Sequence, residues 1–580
     1  MIINLRKAYP MRRIYTLFAV LMMTMAGATN LSAQSAYPGT DVGGLNFGND
    51  IIGFTDMYNL SFTAHNYGTA RSMAMGNAFT ALGADMVSAS LNPAGIGMYL
   101  NSDFSLTPMM QFKSSPTEGG VPYYNDIPRS QQEFSERTNR FGMSSAGAVF
   151  TAYRGSGALT NFNVGFVYNR IADFNRNMLS ASVGNSFQNS MANAFASQSN
   201  SDNLQTNADG TMPFGNDPYF WGNVLAYKNG VTNKDDLGWF VDRIAPTAEI
   251  DQYSAMETRG SIGEYALTFG LNFVDIFYFG ATLGIQSVNY KRDTHYGENY
   301  MYGTYPSGEQ MPYQLDYMNY MQRTRISGSG VNLKLGATLR PTKFLRIGVA
   351  YHTPTRYSLN MQYDAEMWSR TYSAGSNPEG YDINPEGYMY DNVYSGVWED
   401  AGPTGWAFRS PSRLLTGVAL TVAQRVILSV DYERSWYQNV KVKKAPIDGL
   451  YYPQTELLFK GSNTVRVGAE AMLTPFLALR AGYIWSGSTL RPEYRDVILS
   501  HPVIKQQSYI TAGLGLNLSS TTYLDIAYQY GMTRYTPFKT FYVLNDTAHP
   551  NYDPLFDAES PLYTLRTKNH VAVVTLGFRF

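Results

Sequence analysis

The chain of 580 residues contains no cysteine, few charged residues and only one long apolar run. The lack of cysteine excludes disulfide frameworks and cysteine-ligated zinc or iron–sulfur sites. Charged residues make up 15% of the chain, against about 25% in an average soluble domain. The formal net charge is −1, so the basic excess typical of nucleic-acid binding is missing and no nucleic-acid partner is expected. Aromatic residues, in contrast, reach 14%, with 45 tyrosines.

The single apolar run lies near the N-terminus. It covers residues 14–28, follows Arg12 and Arg13, and precedes the small residue Ala33. A helix needs about 20 apolar residues to cross a bilayer, and this run is shorter. It therefore predicts a secretory signal peptide over residues 1–33 rather than a membrane anchor. We expect an exported protein without a helical membrane span.

From residue 102 onward, apolar residues alternate with small or polar ones, which is the pattern of half-buried strands. Tyr265, Leu267 and Phe269 illustrate it. The connections between these segments are alternately very short and very long, and aromatic residues cluster near the segment ends. Both features are typical of outer-membrane barrels. The last alternating segment ends on Phe580, which resembles the assembly signal of such barrels.

The pattern predicts an all-β fold, namely a transmembrane outer-membrane β-barrel of about 14 antiparallel strands, an even number as in single-chain bacterial barrels. The predicted strands cover residues 102–113, 142–153, 160–174, 263–274, 277–292, 324–340, 344–363, 411–422, 425–440, 462–473, 476–489, 507–518, 522–536 and 569–580. Residues 102–580 would thus form the barrel, with the longest extracellular loops at about 175–262 and 364–410. Residues 34–101 contain no long stretch in which apolar and polar residues alternate, and we assign them to a separate region.

Within the first of these loops, an apolar residue recurs at every fourth position. The recurring residues are Leu179, Val183, Phe187, Met191 and Phe195. This spacing predicts a short amphipathic helix. Two interpretations remain open: the helix packs on the rim of the barrel, or its apolar face lines an opening for a hydrophobic ligand.

Motifs for catalysis and metal binding are scarce. The sequence has no G-x-S-x-G elbow, P-loop or G-x-G-x-x-G motif, and its histidines form no H-x-x-x-H or H-E-x-x-H pair. His295 and Glu298 form a lone H-x-x-E in a predicted loop, which is a weak signal for a metal. We therefore predict a protein that is not an enzyme, with no catalytic residue, no metal site and no cofactor.

The most informative stretch precedes the first predicted strand. It reads A-R-S-M-A-M-G-N-A-F at residues 70–79 and continues with Asp85. It ends on an N-P-A-G element, which comprises Asn92, Pro93, Ala94 and Gly95. This order resembles the start of the FadL family, the FadL/TodX-like outer-membrane transporters of long-chain fatty acids and other hydrophobic compounds. The long loop and the Tyr/Asn-rich composition resemble Bacteroidetes-type members, whereas Met86 stands where many members carry a second acid.

The resemblance implies a fourteen-stranded barrel that is plugged by an N-terminal hatch, here residues 34–101. It also implies passive transport of hydrophobic small molecules, similar to long-chain fatty acids, with lateral exit into the membrane beside a kinked third strand. In this sequence that strand is 160–174, and its alternation breaks at residues 170–173. The implied partners are a hydrophobic ligand and outer-membrane lipids, the implied location is the cell outer membrane, and a monomer is expected.

The N-P-A-G element can also be interpreted physically. Pro93 fixes its own φ and biases Asn92 away from the helical region. The Asn92 side chain can bond to nearby backbone, and Gly95 adds little bulk. The element is therefore either a turn that joins the hatch to the first strand or a gate that shifts when a ligand binds.

Two alternatives to transport remain open for the whole protein. The first is a FadL-like barrel that acts as a secretion shuttle or anchoring protein for exported proteins. The second is an adhesin or structural barrel, which the long loops favour.

Overall fold

The computed structural model describes most of the chain from residue 59 onward. The described residues are 59–62, 66–119, 123–124, 127–128, 132–186, 189–201, 204–206, 221–301, 303, 307–308, 313–373, 381–382, 388–394, 406–423, 425–444, 459–491, 502–543 and 558–580. The predicted signal peptide, residues 1–33, lies outside them. So do residues 34–58 of the predicted hatch and parts of the predicted loop 364–410.

The wall of the molecule is a closed antiparallel β-barrel. Its segments are β1 (Asp103–Gly119), β2 (Gln132–Arg154), β3 (Leu159–Asp173), β4 (Arg176–Ser186), β5 (Glu249–Phe273), β6 (Phe277–Tyr300), β7 (Tyr313–Leu339), β8 (Leu345–His352), β9 (Arg356–Ser373), β10 (Trp406–Arg409), β11 (Arg413–Val422), β12 (Val426–Ser435), β13 (Lys441–Lys444), β14 (Ser462–Thr474), β15 (Leu477–Ser486), β16 (Ile504–Asn517), β17 (Thr522–Tyr535) and β18 (Leu562–Arg579). The sheet closes because Asp103 of β1 pairs with Val149 of β2 on one side and with Arg579 of β18 on the other.

Four strands of the barrel are each built from two consecutive segments, so the wall has fourteen strands in total. These pairs are β3 with β4, β8 with β9, β10 with β11, and β12 with β13. Short strands outside the wall segments are Tyr123–Tyr124, Ile127–Pro128, Thr232–Lys234, Phe240–Asp242, Tyr381–Asp382, Tyr388–Tyr394, Phe538–Lys539, Tyr542–Val543 and Ala558–Glu559. The predicted fourteen-stranded barrel is confirmed.

Several strands are longer than their predicted ranges. β5 begins at Glu249 instead of 263, and β7 begins at Tyr313 instead of 324. In these extensions polar residues occupy both faces, so the backbone pairing continues where the hydrophobic alternation has faded. In β1, Pro108 is accommodated by a change of register between Thr107 and Pro108, as expected for a residue that cannot donate to the ladder.

The helix predicted from the four-residue apolar spacing is wrong in its first half. Leu179 and Val183 lie in strand β4, which pairs with β5, and Phe187 lies outside the described residues. Met191 and Phe195 belong to a helix, α2 (Met191–Ser201). A spacing of four is a multiple of the strand period of two, so the same residues fit one face of a strand equally well.

The described helices are short. They are α1 (Ala70–Ala74), α2 and α3 (Trp221–Lys228), together with 3₁₀ turns at Met86–Ala89, Pro93–Met98 and Tyr437–Asn439. Within the described part of the chain, no helix combines the length and apolar content that crossing a membrane requires.

One end of the barrel carries tight turns. Residues 274–276 connect β5 to β6, and Val274 and Asp275 both have positive φ, of 50° and 57°, as in the turns that favour hairpins. At the same end, Phe580 and Ser102 exchange two backbone hydrogen bonds of 3.0 and 3.1 Å. Short turns mark the periplasmic end of outer-membrane barrels.

The outer face of the wall is apolar in a continuous band. Phe269, Leu333, Val430 and Leu576 are each about 40–50% exposed, although such side chains are usually buried in soluble proteins. Tyr351, Tyr432, Tyr483 and Tyr528 are exposed at its extracellular border, which matches the aromatic girdle of outer-membrane barrels. The barrel therefore spans the outer membrane.

Candidate functional site

Residues 66–101, here called the inner segment, fill the interior of the barrel beside the wall. Nearly all of their side chains are buried, and polar side chains of strands from most of the barrel circumference bind to their backbone or side chains. The wall residues that do so are Ser144, Asn163, Asn169, Glu264, Thr338, His352, Asp431, Glu470, Thr511 and Thr575. The inner segment is thus attached to the wall around most of the barrel circumference.

The four residues of the N-P-A-G element lie together at the wall. Asn92 is the N-cap of the 3₁₀ turn Pro93–Met98, and its Oδ1 accepts from the backbone N–H of Ala94 at 3.1 Å. Its Nδ2 donates to the hydroxyl of Thr338 on β7 at 3.1 Å. Gly95 accepts from the backbone N–H of Ala84 at 2.9 Å. The element therefore joins two parts of the inner segment and attaches both to the wall.

A row of glycines forms the seat of this element. Gly270, Gly280 and Gly336 are register partners on β5, β6 and β7. A side chain at Gly280 would collide with the backbone of Pro93, and one at Gly336 with the Asn92 side chain. Since only glycine permits this approach, backbone packs directly on backbone along this arc.

An ionic chain holds the opposite side of the inner segment. Arg71 donates to both carboxylate oxygens of Glu470 at 3.0 Å. Glu470 also accepts from Arg480 at 2.6 Å, and Arg480 donates to Asp525 at 2.6 Å. Beside this chain lies a cavity of about 400 Å³ that faces the end of the barrel with the short turns. Its lining is mixed polar and apolar, so it offers no apolar pocket for a hydrophobic ligand.

Asp85 is a buried acid within the inner segment. Its carboxylate accepts from the Thr69 hydroxyl at 2.8 and 2.9 Å and from the Val87 backbone N–H at 2.9 Å. Removal from water raises the pKa of the Asp85 carboxyl above its ordinary value, although Arg71 and these hydrogen bonds act in the opposite direction. The Asp85 carboxylate therefore has its hydrogen-bond partners within the inner segment, without a second acid beside it.

The third strand of the barrel is interrupted. β3 ends at Asp173 and β4 begins at Arg176, and Phe174 and Asn175 lie between them. Opposite the interruption, Gly260 of β5 has a φ of 116°, a conformation that favours glycine. Gly260 accepts from the Phe174 N–H at 3.0 Å and donates to the Asn175 side chain at 3.3 Å. The interruption is thus a kink held by defined contacts, and it lies just beyond the predicted break at 170–173.

The wall loses strand pairing above this kink. β2 pairs with β3 only up to Ser145 and Asn169, and β4 pairs with β5 but not with β2. The edge of β2 over residues 132–144 therefore has no strand partner on this side among the described residues. Exposed strand edges are normally covered or paired, so an edge inside a barrel wall marks a local opening of the sheet.

Charged side chains span this opening. Arg170 donates from Nη1 to Asp173 at 3.1 Å, and Lys113 of β1 donates to the same carboxylate at 3.2 Å and to the Asn175 carbonyl at 2.6 Å. Lys113 was absent from the sequence predictions. It is the only basic residue of β1 and lies at an inward position, which is the signal that would have indicated it.

A cavity of about 90 Å³ lies inside the barrel next to the kink. Phe174 and Arg176 border it from the kink and Tyr67 from the inner segment. Phe174 packs edge-on against Tyr290, with ring centroids 5.1 Å apart. The Arg176 guanidinium lies 5.1 Å from the centroid of the Tyr535 ring. The cavity is thus bounded by aromatic rings on several sides, and polar side chains such as Lys113, Asp173 and Asn569 complete its lining.

A second, larger groove of about 350 Å³ lies on the outer side of the same strands. Its lining is mainly apolar, and it includes Asn177, Met178, Leu179, Ala255, Met256 and Met321. The kink therefore has a cavity on its inner side and an apolar groove on its outer side.

The possible H-x-x-E metal pair is not assembled. His295 faces outward, where it contacts the Tyr253 ring. Glu298 faces inward and accepts from Ser190 at 2.9 Å and from Tyr296 at 2.6 Å. Residues three apart in a strand point to opposite faces. Among the described residues, no group of three or more potential ligands is arranged to hold a metal.

No family model matches the sequence, and no curated protein sequence matches it. Solved structures that resemble this one include a Pseudomonas aeruginosa FadL homologue, with 14% identity and a TM-score of 0.46, over 89% of this chain and 98% of the other. The Pseudomonas putida toluene transporter TodX has 13% identity and a TM-score of 0.47, and the match covers 89% of this chain and 99% of the other. The CymD monoaromatic hydrocarbon channel has 12% identity and a TM-score of 0.44, and the match covers 90% of this chain and 99% of the other.

Proposed function

We propose that the protein is a passive outer-membrane transporter of hydrophobic small molecules similar to long-chain fatty acids. In this proposal the inner segment acts as the hatch, and the ligand leaves sideways through the kink of the third strand. The observation that supports it most directly is the kink itself. Among the described residues, β2 has no strand partner there on the side of β4, a cavity with aromatic residues in its lining lies inside the wall, and an apolar groove lies outside it.

The physical basis of such transport is burial of apolar surface. Each methylene removed from water contributes about 0.8 kcal/mol, so successive apolar sites can capture a ligand without an energy source. The apolar outer groove would offer the ligand a surface on the outer side of the wall, next to the kink, with little contact with water. The hatch would set access to the inner cavity, since Tyr67 contributes to its lining.

The groove can be blocked to test the route. Ala255 lines it, and Ala255→Trp would fill part of its volume. Uptake of a radiolabelled long-chain fatty acid by cells that depend on this protein should fall by about tenfold or more, as for a hydrophobic constriction. Ser358→Trp is the matched control, since Ser358 faces outward on β9 away from the groove. Equal uptake by the two variants would contradict lateral exit.

The ligand itself can be identified by extracting the purified protein and analysing the bound molecules by mass spectrometry. A near-stoichiometric hydrophobic compound would support transport and give its class. Bulk lipid alone, together with co-purified exported proteins, would contradict transport and favour the secretion shuttle.

A further inference from the structure

The edge of β2 that faces the kink carries a row of unpaired backbone groups. Met143 directs its carbonyl to this side, where it accepts from Arg170 Nε at 3.1 Å. Residues two apart in a strand direct their N–H and C=O groups to the same side, so the alternate residues before Met143 do so too. These are Ser135, Arg137, Asn139 and Phe141. No strand of the described residues pairs with them on this side. We call residues 135–141 the free edge.

The free edge lies on the extracellular side of the membrane. β2 ends at Arg154, at the end of the barrel with the tight turns, so residues 135–141 lie toward the opposite, extracellular end. Ala146 pairs with Tyr168 of β3, whose ring lies 5.3 Å from that of Tyr265. These tyrosines belong to the aromatic border of the apolar band. The free edge begins beyond this border, and the four residues that point their backbone groups outward from it are exposed.

The apolar groove of about 350 Å³ on the outer side of the kink lies beside the free edge. Glu136 of β2 and Leu179 of β4 both line it, together with Ala255 and Met321, so the groove spans the gap between β2 and β4. Paired strands lie about 4.8 Å apart. A strand that paired with the free edge would therefore lie over the groove, and every second side chain of that strand would point into it.

The charge of the groove favours a cationic side chain. Its described lining residues include three acids and no lysine or arginine. Glu257 is paired with Arg259, and with Arg140 at 4.0 Å. The other two acids, Glu136 and Asp293, form no ion pair within the described part of the chain.

Two acceptors at the groove also lack a donor. The Oδ1 atoms of Asp293 and Asn177 are buried and have no hydrogen-bond partner among the described residues, and both residues line the groove. A lysine ammonium offers three donors and a positive charge, and a hydrogen bond from an ionised donor to a carboxylate is among the strong ones. A lysine that enters the groove would therefore satisfy both its charge and its free acceptors.

We infer that the free edge and the groove bind an extended segment of another polypeptide at the cell surface, as an added β-strand with a basic side chain in the groove. In this mode of recognition, backbone hydrogen bonds give affinity and alternate side chains give specificity. The N–H and C=O groups of the free edge repeat at the spacing of a strand, which an extended peptide matches and a small hydrophobic molecule does not. The inference does not depend on the transport of small molecules.

The test uses a synthetic probe, the fluorescein-labelled peptide Thr-Leu-Thr-Lys-Thr-Leu-Thr-amide. It is titrated by fluorescence anisotropy into the purified full-length protein in mild detergent. The leucine and lysine side chains share one face and would enter the groove, whereas the threonines would pair with the free edge. Methylation of the threonine nitrogens removes these donors and should weaken binding by at least about tenfold. Replacement of the lysine by glutamate should weaken binding by a similar factor.

Variants of the protein test the same two contacts. Asn139→Pro removes one N–H from the free edge, a change that edge strands tolerate, and should weaken peptide binding by about tenfold or more. Asn139→Ala keeps this N–H and should bind as the unmodified protein does. Glu136→Gln/Asp293→Asn should lose the preference for the lysine peptide over the glutamate peptide. Asp236→Asn, at an exposed loop position, should retain it.

Hydrogen exchange locates the bound peptide. The lysine peptide should slow exchange of the amides in residues 135–141. The methylated peptide on the unmodified protein tests the edge even if Asn139→Pro fails to fold. Three results would overturn the inference: no saturable binding of the lysine peptide, equal binding of the methylated and unmethylated peptides, or equal binding by folded Asn139→Pro and Asn139→Ala. Protection of residues 135–141 by oleic acid but not by the peptide would assign the groove to a lipid-like ligand and would also overturn it.

Discussion

Arg170 donates a hydrogen bond from Nε to the backbone carbonyl of Met143, 3.1 Å away, on the strand edge that has lost its partner. The same guanidinium binds Asp173, the last residue before the kink. The Arg170 side chain thus supplies to the edge of β2 a hydrogen bond that a neighbouring strand would otherwise make. It also occupies the space in front of Gly142, where an added side chain would lie 2.8 Å from its Nη2.

Removing this side chain should widen the opening. In Arg170→Ala, the Met143 carbonyl loses its partner and Asp173 keeps only Lys113 as a charged partner, at a cost of about 1–3 kcal/mol in the free energy of unfolding. Uptake of a hydrophobic probe should rise, by about twofold or more, if the side chain limits passage. Arg154→Ala, at the exposed periplasmic end of β2, is the control. Unchanged uptake in a folded Arg170→Ala barrel would show that this side chain does not limit passage.

The N-P-A-G element should affect uptake more than folding. Asn92→Ala/Pro93→Ala removes the bond to Thr338 and the cap of the 3₁₀ turn, each worth about 1 kcal/mol. The barrel should still show heat-modifiable migration on gels, whereas ligand uptake should fall. Asn101→Ala, an exposed position close by, serves as control. Normal uptake in the folded double variant would reject the gating role.

The glycine seat should not tolerate even a methyl group. Gly280→Ala would push against the backbone of Pro93, and overpacking of this kind costs about 1–3 kcal/mol. We expect faster proteolysis of the inner segment with the barrel intact. Gly157→Ala is the matched control, because an added side chain there meets no atom within 4 Å. Equal proteolysis of the two variants would mean that the glycine seat accommodates the methyl group without destabilising the inner segment.

The buried acid of the inner segment should make its stability depend on pH. Because the folded pKa of Asp85 is raised, the folded state binds more protons than the unfolded one between the two pKa values. Stability therefore decreases as the pH rises above the ordinary pKa of an aspartate. Hydrogen exchange of the inner segment should show this trend, and Asp85→Asn should flatten it. Asp236→Asn, at an exposed loop position, should retain it.

The barrel was predictable from sequence because lipid imposes a simple rule on every strand. Outward residues such as Leu267 and Leu333 must be apolar, so alternation reveals each crossing. Beyond the membrane this constraint ends, and the sequence of β5 before residue 263 no longer indicated a strand. The four-residue spacing through Leu179 was ambiguous because it satisfies both a helix and a strand face.

The contacts around the kink depended on register, which alternation does not fix. Lys113 and Asp173 lie 60 residues apart, and their meeting requires β1, β2 and β3 to be aligned. Such clusters become visible only when the strands are paired.

The glycine seat has a consequence for how the inner segment can move. Separating packed elements is costly mainly because apolar side chains become wet, at about 25 cal/mol per Å². Between Pro93 and Gly280 there are few such side chains to expose, and water can replace the hydrogen bonds that are lost. Along this arc the inner segment packs backbone against backbone, and no side chain interlocks with the wall at the three glycines. Moving the N-P-A-G turn away from the wall would therefore break hydrogen bonds but expose little apolar surface.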